Sequence, residues 1–268
     1  MTIAQKVLYS PQISTFLAVL ATTIGRDKTY RLIQYISRIL AWSYGRRGLV
    51  EAAARFNALK GGLGMGRKMM RIFKPLENLR SALNISEQPL AGIPRTQRIA
   101  QTTQFARQLC YAVFLSTDTL VWLQSIKFLQ FDKEKAAKVS RISNKAWISG
   151  LTLSIISSLA SLANLRAQAR RFAVRADAGR AASSEKAPED AAADEAERRK
   201  QGRALLAQRQ QIMSQLIGDS LDIFIPANNL GYTHMSEGFV GLCGTITSYM
   251  ALQKVWAKQA AGVRAKSA

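Results

Sequence analysis

Histidine, cysteine and proline are scarce in this chain of 268 residues, and their scarcity excludes several kinds of protein. The single histidine, His234, has no carboxylate pair or cysteine beside it, and no spacing typical of a metal site occurs. We therefore expect no enzyme, no cofactor and no bound metal. The two cysteines, Cys110 and Cys243, lie inside apolar runs, which predicts small buried side chains rather than a disulfide framework.

Acidic residues are also few, because 17 Asp and Glu stand against 38 Lys and Arg, which gives a net charge of +21. Such an excess predicts an anionic partner, either nucleic acid or a membrane rich in acidic lipid. No zinc, homeodomain-like or RNA-binding motif occurs, and two long uncharged stretches do not suit a nucleic-acid binder. We therefore expect an acidic phospholipid membrane as the partner, and no nucleic acid.

Only six prolines interrupt the chain, and alternation of β-branched residues is hard to find. Apolar residues instead recur with a helical period over long segments, such as residues 27–44 and 98–131. The predicted fold class is therefore all-α. We expect a helical membrane protein with an amphipathic membrane-surface helix and about two hydrophobic membrane segments.

Residues 55–76 carry the most informative pattern, because one helix over this range has two opposed faces. An apolar half opposed by a basic half is typical of a helix that lies in the headgroup plane of an acidic membrane. The side chains predicted to insert into the membrane are Phe56, Leu59, Leu63, Met70 and Phe73. The cations predicted to bind lipid headgroups are Lys60, Arg67, Lys68, Arg71 and Lys74.

The same segment contains Gly61, Gly62, Gly64 and Gly66. Each glycine costs a helix up to about 1 kcal/mol relative to alanine, so we expect poor helicity in water and folding on insertion into lipid. One alternative is an ordinary surface helix that packs on its own core. Another is a phosphate-binding loop, but the Lys-Ser/Thr pair that should follow the glycines is missing.

Two uncharged stretches are candidates for crossing a bilayer. Residues 146–165 are twenty residues without a charge, which matches a hydrocarbon core of about 30 Å. Residues 238–253 form a shorter run that 254–257 extend, with Lys254 snorkelling and Trp256 at the interface. The alternative is that both are buried helices of a soluble bundle. Small residues four apart predict that these helices pack closely on each other or on a second copy: Gly150, Ser154 and Ser158 in the first, and Gly241 with Thr245 and Gly244 with Ser248 in the second.

The two stretches divide the chain into regions with different predicted surroundings. No Lys or Arg occurs from residue 218 to 237, whereas four follow residue 253, and basic flanks stay cytosolic. This asymmetry predicts a multi-pass protein with both termini in the cytosol. Within the middle region, residues 177–201 are polar and alanine-rich, which predicts a flexible linker or an exposed helix. The regions are 1–145, cytosolic and membrane-remodelling; 146–165, the first membrane segment; 166–237, a lumenal loop; 238–257, the second membrane segment; and 258–268, a cytosolic tail.

Three stretches together resemble the peroxin-eleven family of peroxisomal membrane proteins. Residues 25–31 (GRDKTYR), running into Gln34, Tyr35 and Arg38, are similar to the opening motif of that family. The glycine-rich segment ending in Lys74-Pro75-Leu76 resembles its membrane-remodelling helix. Residues 241–248 (GLCGTITS), followed by Trp256, resemble its last hydrophobic segment. The order and spacing agree over almost the whole chain.

The resemblance implies a peroxisome proliferation factor in the peroxisomal membrane. Family members insert the amphipathic helix into the cytosolic leaflet, bend and elongate the membrane, associate with themselves as homo-oligomers, and help to recruit the dynamin-type fission machinery. Some are also proposed to pass small metabolites. The alternative function is therefore a pore-forming channel, for which Asp118 and the serines of residues 146–165 would be the natural lining.

Overall fold

The computed structural model describes residues 2, 5, 8–183 and 188–267. Within these residues the regular structure is entirely helical, which confirms the all-α prediction. In chain order the helices are α1 (Pro11–Leu20), α2 (Thr23–Arg46), α3 (Val50–Met69), α4 (Lys74–Ser86), α5 (Arg95–Ser125), α6 (Lys133–Ser183), α7 (Pro188–Asp222), α8 (Phe224–Asn229) and α9 (Glu237–Ser267).

Local sequence signals explain where the first helices begin and end. The Ser10 hydroxyl accepts a hydrogen bond from the Ile13 N–H, and Pro11 opens α1 with its fixed φ. The Thr22 hydroxyl caps α2 by accepting from the Gly25 N–H at 3.0 Å. Gly48 has a φ of 74° in the turn before α3, a conformation that glycine adopts without strain.

The chain forms two compact units. Unit 1 comprises residues Met1–Asn78, Cys110–Ile148 and Leu221–Ala268, as far as they are described. At its centre α2 packs against both α3 and α9, and α9 also contacts α1. Tyr35, Ile225 and Val240 form the buried core, with Trp147 packed against them. The Trp147 ring in turn stacks on Phe114, with ring centroids 5.1 Å apart.

Unit 2 comprises residues Leu79–Leu109 and Ser149–Ser220. Its apolar interior includes Ala82, Leu151 and Leu165, but several buried side chains are polar. Ser154 donates a hydrogen bond to the Asp219 carboxylate, and both are buried. The unit is therefore held by hydrogen bonds between helices as well as by apolar contact.

The first predicted membrane segment, residues 146–165, lies within α6, a helix of 51 residues. Among the described helices, one is long and apolar enough to cross a membrane, and it covers Lys133–Gly179. The second predicted segment, 238–257, lies within α9, which does not meet that criterion, so the second crossing stays a prediction. The region between the two segments is helical at 166–183 and 188–222. Part of the predicted linker 177–201, residues 184–187, lies outside the described residues.

Candidate membrane-binding segment

The segment 55–76 is not one helix, as the sequence pattern suggested, but a helix, a turn and the start of another helix. Helix α3 ends at Met69, residues 70–73 form a turn, and α4 begins at Lys74. Pro75 explains the break, because it has no N–H to donate to the Arg71 carbonyl and its ring would clash with that carbonyl in a continuous helix. At the second position of α4 the same proline is favourable.

The four glycines do not interrupt α3. A Cβ atom added at Gly61, Gly62 or Gly66 would meet nothing within 4 Å, whereas one at Gly64 would lie 3.0 Å from the Gln34 amide nitrogen. At three of the four glycines, therefore, the missing side chain does not make room for a neighbouring group. The packing of α3 against α2 offsets their low helix propensity.

The basic face of α3 points into unit 1 and is paired with acids there. Arg67 is buried, and its Nε lies 3.0 Å from the Asp27 carboxylate while its Nη1 donates to the Gln34 side chain at 2.7 Å. Asp27 and Gln34 both lie on α2. Lys28 is a second cation on Asp27, at 3.3 Å.

A second carboxylate, Asp118 of α5, holds the next two cations. Lys68 donates to one of its oxygens, and the Arg71 guanidinium donates to the other at 2.9 Å. Asp118 is buried, with 7% of its surface exposed, so its charge is compensated by these two side chains rather than by water. The Asp118 pairs tie the end of α3 and the following turn to α5.

The remaining two predicted headgroup ligands are placed differently. Lys60 is half-buried and lies 3.9 Å from Glu237, the first residue of α9, which also pairs with Arg38 of α2 at 2.7 Å. Lys74 is half-buried at the start of α4. The role of these five cations as headgroup ligands stays a prediction, and the structure places four of them beside carboxylates of the same chain.

Burial and neighbouring charges shift the pKa values of Asp27 and Lys28. Burial alone would raise the pKa of the Asp27 carboxyl, but Arg67, Lys28 and Arg71 outweigh it and lower that pKa to about 2. Burial lowers the pKa of the Lys28 ammonium to about 8, with Asp27 opposing the shift. Positive charge thus dominates this cluster.

Part of the apolar face of the segment is exposed. Phe73 is 78% exposed, Leu76 64%, Met69 55% and Leu59 45%. The other predicted membrane-inserting residues, Phe56, Leu63 and Met70, are half-buried. Phe56 stacks on Tyr44 of α2, with ring centroids 5.5 Å apart. Large apolar side chains exposed along one segment are a candidate binding site for lipid or protein.

The predicted small-residue packing sites all lie in helix contacts or interiors. A Cβ atom at Gly241 would lie 2.7 Å from Ile39 of α2, and one at Gly244 would overlap the Tyr35 ring. Ser248 is fully buried one turn further on. The partner of this stripe is therefore α2, which the spacing alone did not identify. The other set, Gly150, Ser154 and Ser158, is buried in unit 2.

The sequence interpretation missed the acids that receive the basic face. Asp27 is 40 residues from Arg67 in the chain, and Asp118 is 47 from Arg71, so no local pattern links them. One signal was available in the sequence: residues 1–145 hold only 7 acidic residues against 23 Lys and Arg. A lone acid in an otherwise uncharged stretch of a basic region, as Asp118 is within residues 108–126, indicates a buried ion pair.

No cluster of three or more metal-ligating side chains occurs among the described residues. His234 is exposed. A profile of the family described as Peroxisomal biogenesis factor 11 (PEX11) matches residues 13–256 of the chain. That description names a biogenesis factor rather than a catalysed reaction.

Similar proteins of known name agree with the family match over nearly their full length. The chain is 27% identical to peroxisomal membrane protein PMP27 of Saccharomyces cerevisiae, covering 95% of this chain and 98% of that protein. It is 25% identical to peroxisomal membrane protein PMP30A of Candida boidinii, covering 94% and 96%. It is 23% identical to peroxisomal biogenesis factor 11 of Schizosaccharomyces pombe, covering 92% and 96%.

No solved structure matches the chain. The family match covers both the α3 segment and most of α9, and it confirms the resemblance drawn from residues 25–31, 55–76 and 241–256. The chain therefore belongs to the PEX11 family of peroxisomal membrane proteins.

Proposed function

We propose that this protein binds acidic lipid in the peroxisomal membrane through residues 55–76, bends and elongates the membrane, and promotes peroxisome fission. The observation that carries the proposal is the exposed apolar face formed by Leu59, Met69, Phe73 and Leu76. It adjoins a cluster in which cations outnumber carboxylates. A lipid surface with acidic headgroups and an apolar interior matches both features.

Bending follows from shallow insertion. Apolar side chains that enter only the headgroup and upper acyl region expand one leaflet relative to the other, which favours curvature toward that leaflet. Phe73 lies in the turn between α3 and α4, where a large ring can enter lipid without unfolding either helix. Helix α6 attaches the protein stably to the membrane, because only 28% of its most apolar stretch is buried within the protein.

The experiment is a Phe73→Glu substitution in the full chain, read by tubulation of acidic vesicles and by peroxisome elongation in cells. We expect both to be lost while the protein stays in the membrane, because Phe73 is 78% exposed and supports no core. Leu63→Glu should have the same effect. The matched control is Phe128→Glu, which replaces a 74% exposed phenylalanine of the same unit. Normal elongation by both segment variants would refute the proposal.

We further propose a multi-pass topology with both termini in the cytosol, self-association, and recruitment of a dynamin-type fission enzyme. Self-association is supported by α9, whose surface away from the glycines exposes Phe239, Leu242, Ile246 and Tyr249. These positions are three or four apart and form one apolar stripe. Leu242→Cys should form a disulfide-linked dimer in membranes under oxidation if the stripe joins two copies, and Glu at the same position should prevent association.

A second candidate function, a pore for small metabolites, is supported by a cavity of about 670 Å³ in unit 2. Most of its lining residues carry a hydroxyl or an amide: α6 contributes Ser154, Ser157, Ser158, Ser161 and Asn164, and α5 and α7 contribute glutamines. Asp118, the other predicted lining residue, pairs instead with Lys68 and Arg71. Ser161→Leu should lower the conductance of planar bilayers without affecting elongation, whereas Ser149→Leu, an exposed position of the same helix, should not. Unchanged conductance in Ser161→Leu would remove this candidate.

A further inference from the structure

The cluster beneath the segment contains more positive charge than its acids can compensate. Asp27 is shared by Arg67 and Lys28, and Asp118 is shared by Lys68 and Arg71. Two carboxylates therefore serve four cations. Each cation has only part of a counterion, in a place where at most about a quarter of any of these side chains is exposed. An external anion would find partners here that are incompletely neutralised.

The acids and the cations belong to different elements. Arg67 and Lys68 lie on α3 and Arg71 in the turn after it, whereas Asp27 lies on α2 and Asp118 on α5. The pairs therefore hold the basic face of α3 against the protein. Lipid phosphates that bind Arg67, Lys68 or Arg71 must displace these carboxylates.

We propose that Asp27 and Asp118 are internal counterions that compete with lipid phosphates for the basic face of α3, and so determine how much acidic lipid the segment requires. The inference rests on the proposed function of residues 55–76. Zwitterionic headgroups carry no net charge and do not displace a carboxylate from a partly buried pair. A surface dense in acidic lipid does, because it presents several anions at once at a negative potential.

The remaining features of α3 suit such an exchange. Gly61, Gly62 and Gly66 have no side-chain contacts, so the helix surface near them does not interlock with a neighbour. The apolar residues Met69 and Phe73 are already exposed and need no rearrangement to enter lipid. Binding of the basic face to lipid headgroups therefore has to replace these ion pairs.

The experiment follows the entry of residue 69 into lipid in the reconstituted full chain. A chain with Met69→Cys, Cys110→Ser and Cys243→Ala is labelled with an environment-sensitive fluorophore and placed in phosphatidylcholine vesicles that contain rising fractions of phosphatidylserine. Into this background we introduce Asp27→Asn and Asp118→Asn together. Asparagine keeps the shape and one acceptor oxygen of each side chain but removes the charge.

We expect the phosphatidylserine fraction that gives half the fluorescence change to fall about twofold or more in the double variant. The charge control is Asp132→Asn, compared with Asp118→Asn alone because each removes one negative charge; the Asp132 side chain is 57% exposed and pairs with Lys135, and asparagine there still caps α6. It should leave the half-point unchanged. If the double variant melts at a much lower temperature than the parent, the test uses Asp118→Asn alone. This single variant retains the Asp27–Arg67 pair.

The outcomes separate the inference from the function on which it rests. A parent protein whose label never enters lipid at any phosphatidylserine fraction would overturn the proposed function itself. A parent that responds, together with Asp27 and Asp118 variants that have the same half-point, would overturn only the role of the counterions. An equal shift in Asp132→Asn would show that total charge, and not these two pairs, is responsible.

Discussion

Helices α3 and α9 both contain closely spaced glycines and both pack on α2, but they are held to it by different interactions. In α9, Gly238, Gly241 and Gly244 lie against the α2 side chains Trp42, Ile39 and Tyr35, and there is no room for a Cβ atom. In α3, Gly61, Gly62 and Gly66 meet nothing, and Arg67 joins the helix to α2 through Asp27 and Gln34.

The difference shows that a run of glycines in a helix has no single meaning. Where the glycines face another helix, they permit close approach and shape complementarity, and the contact depends on packing. Where they face outward, they only lower helix propensity, and other side chains, such as Arg67 and Phe56, make the contact. The contact made by charge is the one that another charged surface is able to replace.

The largest expected effect comes from filling the α9 contact. Gly244→Ala places a methyl group into the Tyr35 ring, and we expect the free energy of unfolding to fall by about 1–3 kcal/mol. Gly262→Ala in the same helix, where a Cβ atom meets nothing, should instead be neutral or stabilising. Chemical denaturation in detergent measures both. Equal stability of the two variants would mean that α9 is not held by shape.

The next effect isolates the Asp27 pair by comparing wild type with Asp27→Asn as pH falls. The pKa of Asp27 is about 2 in the folded protein against 3.8 in the unfolded chain, so the unfolded chain takes up the proton first as pH falls. The stabilisation of about 2 kcal/mol is complete above pH 4 and is lost as pH falls from about 4 to 2. The difference in unfolding free energy between wild type and Asp27→Asn should shrink over this range.

Hydrogen exchange measured separately for each helix tests the same contact between α3 and α2. Protection of α3 should fall in Asp27→Asn and in high salt, because both weaken ion pairs. Protection of the part of α9 around Gly241 should change little. If α9 loses protection equally, the two contacts on α2 are coupled.

The smallest effect concerns the outward glycines of α3. Alanine at Gly61, Gly62 or Gly66 should raise stability by up to about 1 kcal/mol each, because no contact opposes the gain in helix propensity. Gly64→Ala should gain less, because its Cβ atom would lie 3.0 Å from the Gln34 amide and the side chain must move. Thermal unfolding of the four variants measures the order. A loss of stability in the first three would indicate a contact that the structure does not contain.

Much of the fold followed from sequence periodicity. The predicted helices 27–44 and 98–131 correspond to α2, which spans Thr23–Arg46, and to α5, which spans Arg95–Ser125. Both were predictable because their apolar residues recur with a helical period and turn residues flank them. The break at residues 70–73 was also within reach, since Pro75 forbids a continuous helix there, but the strong apolar pattern on both sides concealed it.

The orientation of the candidate site was not predictable in the same way. A helical pattern separates an apolar face from a basic face, but it does not tell which face the rest of the protein covers. Which face is covered depends on Asp27 and Asp118, two acidic residues that lie 40 or more positions away from the cations of residues 55–76 with which they pair. Their effect is visible only when α2 and α5 are placed beside α3. The alternative that the apolar face packs on the protein's own core does not hold for Phe73 and Leu76, which are exposed.

The ion pairs between α2 and the region around α9 have a consequence for the order in which the protein can fold. Arg38 binds Glu237, 199 residues later, and Arg31 binds Asp222, 191 residues later. At a synthesis rate of about 5–20 residues per second, α2 and α3 wait on the order of ten seconds or more for these partners. During that interval the apolar surface of residues 55–76 and the α2 surface that α9 will cover are both available to other molecules. We therefore expect the nascent chain to bind a chaperone or a membrane until α9 covers its surface on α2.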